Sequence, residues 1–362
     1  MNLEEIILLS DIVKLPKETL KDICINLDVP DTGSIGELAE RVWNKAKEGQ
    51  QQKSIVFETC KDRIFCGRTS SMWYYSTSEG IRGVKELLSQ GTNGSNPFEH
   101  MRIPDRESLT SDPVLICAAE GEEEGEYLLR YTYKTGVTRE VFVDSVSTHA
   151  RSAVTTVRVN EEQGYIEIRT EPKAADRIAK TFAQAIRQQV TIGVKPIMSR
   201  FGYNIEEIAD ALGGELVDAV GKPQIYLDEF TQNHATSVIR ILAALDSYFE
   251  SEDIEELQQR LNEARELLGD EYAAVPFTVL ILNGMEKVGL GVKDRDLRGL
   301  PLYDYLKTNL EHQGGYVQFS VNEGGVEHQY TVKIGLKTNS IYFITPATEQ
   351  AMTYVRERLV LD

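Results

Sequence analysis

Along the first fifty residues the apolar positions recur at helical spacing, which predicts two short helices over 3–13 and 16–27. Pro16 suits a first helical turn. Val29-Pro30-Asp31-Thr32-Gly33 reads as a turn, and a third helix follows over 34–47 with Leu38, Val42 and Trp43 on one face. The polar run 48–53 reads as a linker. From 54 to 170 the period drops to that of strands. Val114-Leu115-Ile116-Cys117 is a buried-strand run, 127–134 alternates large apolar and polar residues, and Thr135-Gly136 signals a turn. Strands at 140–143, 153–159 and 165–169 follow closely, as in an antiparallel meander. The acidic stretch 120–126 reads as a solvated hairpin connection, and 91–97 as a flexible loop.

Beyond Pro172 the pattern is helical again, with helices expected at 205–212, 228–249 and 254–268. The last ninety residues return to mixed structure. A strand is expected at 277–282, a helix at 302–310, strands at 316–321, 329–334 and 341–344, and a closing helix at 347–361. The run 165–172 passes from strand through Thr-Glu-Pro into a helix, and 341–346 passes from strand through Thr-Pro in the same way. Two strands-then-helix units are compatible with one curved saddle, with two lobes, or with a common junction that arose twice. The expected fold class is α+β. Its parts are a helical module at 1–47, a β-rich lobe at 54–200 closed by a basic helix, an acidic helical segment at 201–270, and an α+β lobe at 271–362.

Composition narrows the function classes. Apolar residues are 41% and charged residues 27% of 362, which excludes wholesale disorder, collagen and coiled coil. No apolar run approaches the roughly 18 residues of a membrane span, and no secretory signal is read at the N-terminus. Cys24, Cys60, Cys66 and Cys117 are too few for a disulfide scaffold and lack metal-ligand spacing, so reduced thiols and a cytoplasmic location are expected. The net charge of −18 argues against nucleic-acid binding through a global field, so any such site must be local. Residues 151–200 hold 9 basic and 5 acidic side chains, whereas 201–270 hold 4 and 16.

One segment carries a family likeness. Leu20-Lys21-Asp22-Ile23-Cys24, then Leu27-Asp28-Val29-Pro30, Gly33, and Glu37-Leu38-Ala39-Glu40-Arg41-Val42 together resemble SAP-type helix–extended loop–helix modules over residues 15–47. So small a bundle must turn Leu20, Ile23, Leu27, Val29, Leu38 and Val42 inward. The resemblance implies a DNA-binding adaptor module that uses basic residues at the start of its second helix. Here that place holds Ser34-Ile35-Gly36-Glu37, so the likeness extends to the fold more than to DNA binding, and a protein-docking module fits it equally.

Candidate chemistry centres on the helix opened by Pro172. Lys173, Arg177, Lys180, Gln184 and Arg187 fall in one stripe, opposite Ile178, Phe182 and Ile186. Arg151, Arg158 and Arg169 precede it on strands. This set of seven basic residues forms the candidate nucleic-acid surface, with DNA or RNA as partner. A solvated face, or docking on the acidic 201–270 segment, explains the stripe as well. Asp144 with Glu167-Ile168-Arg169 loosely resembles the Asp…Glu-x-Lys arrangement of metal-dependent restriction-type nucleases, although arginine is a poor base there. Asp228, Glu229 and His234 share a predicted helix but lack a third metal ligand. His100, His149, His312 and His328 complete no metal motif, and no phosphate-binding or nucleophile motif occurs. The sequence therefore predicts a non-enzymatic, nucleic-acid-associated adaptor or assembly subunit that binds through the local basic surface at 151–200, with no metal or cofactor. Its protein partner would bind the N-terminal module or the 201–270 segment, and a membrane partner is not expected. The alternatives are a nuclease with a degenerate site and a pure protein scaffold.

Overall fold

Helical spacing in the first fifty residues produces α1 (Leu9–Ile12), α2 (Lys17–Asn26) and α3 (Ile35–Ala46) in the computed structural model. The structure describes residues 1–66, 71–77, 80–91, 95–186, 192–223, 232–251, 253–268, 288–291, 296–300, 303, 307 and 310–361. A side chain–backbone cap starts α3: Ser34 Oγ accepts from the Glu37 amide at 3.3 Å, and Glu37 accepts from the Ser34 amide at 2.7 Å. The polar run expected to be a linker is instead the start of α4 (Gln50–Ile64). Its glutamines are helix-compatible, and Val56, Phe57, Cys60 and Ile64 recur at helical spacing and are buried.

The chain divides into two compact units. Unit 1 comprises 1–200, 319–334 and 338–362, and unit 2 comprises 201–318 and 335–337. The fold class is α+β. In unit 1, strands β1 (Ser71–Ser76), β2 (Val114–Glu120), β3 (Glu126–Phe142), β4 (Ser145–Asn160) and β5 (Tyr165–Arg169) share a sheet with β10 (Val326–Gly335), β11 (Ser340–Phe343) and the end of β9 (Leu310–Glu323). The order is β2-β3-β4-β5-β1-β11-β10-β9. The remaining short strand, β6 (Gly193–Val194), pairs with β1. The sequence echo is therefore topological. The meander β3-β4-β5 leads into α6 (Pro172–Ala185), and β9-β10-β11 leads into α12 (Glu349–Leu359). Both meanders meet at β1, which pairs antiparallel with β5 on one side and β11 on the other.

Two apolar clusters among the described residues lie in unit 1. One joins the N-terminal helices to the sheet: Leu20, Ile23, Leu38 and Val42 pack with Ile116, Cys117, Ala119 and Leu128. The other buries Ile178, Phe182 and Ile186 of the α6 segment against strand residues such as Leu129, Val157 and Ile168, with α5 (Val84–Gly91) adding Leu88. In unit 2, α7 (Ile205–Ala211) leads to β7 (Glu215–Pro223), which pairs with β8 (Val288–Gly291) and the first part of β9. The helices α8 (Gln232–Ser251) and α9 (Ile254–Leu268) follow the expected spans, and they pack on each other. The strand expected at 277–282 and most of the helix expected at 302–310 lie outside the described residues.

One strand prediction is corrected by the hairpin β3–β4. Thr135-Gly136 is not a turn. The two strands pair from Glu126↔Asn160 out to Phe142↔Ser145, and the register slips once between Lys134 and Gly136. Glycine at a strand irregularity and glycine in a turn look alike in sequence. Here the missing side chain leaves room for the Arg151 guanidinium, which would stand 3.1 Å from a Cβ at Gly136. The turn is the two-residue Val143-Asp144, with Val143 at φ 53°.

All four cysteines are buried, and none of them forms a disulfide. Burial pushes the Cys60 and Cys117 thiols up to about 12 and raises Cys24 and Cys66 as well. Little thiolate then exists at pH 8, and the thiolate is the form that alkylates. Iodoacetamide at pH 8 is expected to leave the intact mass of the folded protein unchanged, while the denatured chain takes up four adducts. Rapid labelling of the folded protein would contradict this packing.

Candidate functional site

The sequence places charges inside apolar strands. In β5 every residue of Tyr165-Ile166-Glu167-Ile168-Arg169 is buried, so Glu167 and Arg169 must find partners within the protein. Glu167 is fully buried and accepts hydrogen bonds from Arg169 Nε at 2.7 Å, Arg356 Nε at 2.8 Å and the Tyr74 hydroxyl at 3.1 Å. Arg356 comes from the buried face of α12, where it follows Met352 and Val355. Glu349, in the first turn of the same helix, takes both arms of the Arg169 guanidinium, one of them at 2.8 Å. Arg158 lies 3.7 Å from Glu349 and also pairs with Glu126, the latter without an aligned hydrogen bond. Three arginines and three glutamates thus balance across β3, β4, β5 and α12.

Electrostatics follow from that balance. Burial alone would raise the Glu167 carboxyl, but the guanidiniums of Arg356, Arg169 and Arg158 hold it well below the usual carboxylate range. Glu349 is lowered too, because Arg169 outweighs its burial. Glu126 goes the other way, since its burial outweighs Arg158. A cavity of about 540 Å³ adjoins the network and is lined by Lys61, Glu126, Arg158, Gln163, Glu349 and Arg356, among others. Glu167 is held ionised and locked by its neighbours, and it ties β1, β5 and α12 together.

A second buried pair lies between the N-terminal helices and the sheet. Arg130 on β3 and Asp11 on α1 are 1% and 4% exposed as side chains and form an ion pair. Asp11 also accepts from the Leu8 amide at 3.0 Å, and Arg130 donates to the Thr156 hydroxyl at 2.6 Å.

The six described members of the expected basic set do not form one surface. Arg158 and Arg169 belong to the internal network, so their charges are matched inside the protein. Lys173 and Lys180 are exposed on α6. Arg177 is half-buried, donates to the Ser111 carbonyl at 2.9 Å, and stands 5.8 Å over the Tyr133 ring. Arg151 is exposed on the hairpin, and Arg187 lies outside the described residues. Nor does the nuclease-like pair meet. Asp144 sits at the hairpin turn, and Arg158, which pairs across the ladder with Glu167, is fourteen residues further along the chain, about 45 Å of strand. Asp228 and Glu229 also lie outside the described residues, and the His234 side chain is not described. Among the described residues no three His, Cys, Asp or Glu side chains converge as a metal ion would require, and no helix is long and apolar enough to cross a membrane.

The feature that sequence reading missed is the outer part of the β3–β4 hairpin. Both faces are open beyond Ala150, which is itself buried: Val141, Phe142 and Val143 are 71%, 73% and 86% exposed, and Val137 and Val146 are exposed too. A signal is present in the apolar run Val141-Phe142-Val143, which the sequence pattern places in a strand of the meander. Compared with models of known families and with curated proteins, the chain matches none of them.

Proposed function

We propose that this protein is a non-enzymatic assembly subunit whose contact element is the outer β3–β4 hairpin. The observation that carries this reading is a ribbon with both faces exposed and an apolar tip. A free two-stranded ribbon is only marginally stable in water, and exposed apolar clusters of this kind mark interaction surfaces. The exposed Ile239 and Leu242 on α8, in the acidic 201–270 segment, support a further protein contact there. The N-terminal helices are read in the same way. Their helix–turn–helix spacing supports the SAP-like assignment, while the Ser34–Glu37 cap puts a carboxylate where that family carries basic residues. In cells that naturally carry the chain, Phe142→Asp is expected to shift it from a high-mass complex to a low-mass species on native gels. An unchanged complex would refute the reading.

A second reading, nucleic-acid contact along α6, is favoured by the exposure of Lys173 and Lys180 seven residues apart on one helix face. Retention on DNA or RNA that weakens with salt, and is lost in the Lys173→Glu/Lys180→Glu double variant, supports it. Retention that is absent, or unchanged by the double variant, rejects it.

A further inference from the structure

We infer that the hairpin tip of one copy seats in an apolar pocket of a second copy, giving a head-to-tail self-association; this rests on the assembly reading and names its partner. The pocket, about 370 Å³, lies in the N-terminal part of unit 1 and is lined by Met1, Ile7, Ile12, Trp43, Val56 and Met101. It has room for a phenylalanine side chain and a neighbouring valine. Phe142 and Val143 are that pair, standing together at the end of an arm about 23 Å long, from the seven rungs beyond the register slip.

Charge selects the occupant. Two copies at −18 each repel. The arm, residues 134–152, carries Lys134, Arg139 and Arg151 against Glu140 and Asp144, so it brings no net negative charge to a contact. The pocket rim is balanced as well, with Glu4 and Glu5 against Lys47 and Lys53. These signs complement Arg139 behind the tip and Asp144 at the turn. An arm of this length also holds the two acidic bodies apart by more than the Debye length of about 8 Å at physiological salt. Val143 adds a separate observation. A β-branched residue at φ 53° is a conformational outlier in a two-residue turn, where Asn-Gly would be unstrained. The strain is borne by a side chain that makes its contacts outside its own molecule.

Different patches on the two copies make the contact heterologous, so it can grow into a ring or a filament. The buried patch is small, and association in the micromolar range is expected.

The test uses the purified full chain, with mass measured by sedimentation from 1 to 200 μM. Wild type should grow in mass with concentration. Phe142→Asp and Met101→Arg should each stay monomeric, because one lacks the tip and the other blocks the pocket. Mixed together they should form a 1:1 dimer that grows no further, since only one tip and one pocket remain usable. A Val143→Cys/Lys53→Cys double variant should give covalently linked ladders under mild oxidation, which tests the contact even if Met101→Arg fails to fold. Monomeric wild type throughout, oligomers that persist in Phe142→Asp, a mixture that stays monomeric, or absence of the ladder each overturns the inference. If purified wild type is monomeric while the native complex still depends on Phe142, the assembly reading survives and the partner is a different protein. If the tip instead carries the chain onto phosphatidylcholine vesicles, the occupant is lipid and the inference fails.

Discussion

Glu167→Ala is expected to destabilise the protein by about 3–5 kcal/mol, because it leaves the buried Arg169 and Arg356 without their shared carboxylate. For a unit of this size that corresponds to a fall in Tm of roughly 10 °C. Removing one partner of a buried ion pair costs more than the pair is worth, since the remaining guanidiniums are not rehydrated. Urea unfolding of wild type and variant measures the difference, and a change below about 1 kcal/mol would mean that water reaches the arginines. The pH dependence checks the same claim. Glu167 and Glu349 are lowered in the folded state, so their contribution is complete above the unfolded carboxylate value near 4.3 and is lost as pH falls through their folded values. Glu126 is raised and gains on acidification, which offsets part of that loss. Wild type should therefore lose Tm below about pH 4, and Glu167→Ala should lose it less steeply.

Deleting residues 1–47 is expected to abolish cooperative folding of unit 1. Polar composition at 48–53 suggested that a fragment from Ser54 would fold alone. The packing predicts the reverse. Leu20, Ile23, Leu38 and Val42 share one core with Ile116, Cys117, Ala119 and Leu128, and the fragment would expose that half of the cluster to water. It would also strand Arg130, which is 1% exposed and paired with Asp11. The milder Asp11→Ala should cost about 3–5 kcal/mol by the same reasoning. A 54–362 fragment that is soluble, monomeric and melts in one sharp transition would show that the helices are an appendage.

Local pattern carried much of the fold. The faces of α6 follow from the spacing of Ile178 and Phe182 against Lys173 and Lys180, and the repeated strand–helix junction marks the two meanders flanking β1. Long-range pairing was not legible. Arg169 and Glu349 are 180 residues apart, and nothing local distinguishes a surface arginine from one that waits for a partner on the last helix. The Ile-Glu-Ile-Arg run was the available hint, because acidic and basic residues inside a strand buried on both faces cannot be solvated. Position-by-position charge counting overstated the basic surface for that reason. The projecting arm was missed because a single glycine was read as the end of a strand that continues for six more residues.

The continuity of that strand divides one hairpin between two regimes of opening. Its inner rungs from Tyr127↔Val159 to Leu129↔Val157 are sealed between β2 and β5, so their amides exchange with solvent only when much of unit 1 opens. Its outer rungs, beyond Gly136↔Arg151, have no neighbouring strand and can unzip from the tip while the body stays native. The slip at Lys134 and Gly136 is where protection ends, a seam between a cooperative unit and an element able to reshape itself against whatever it meets.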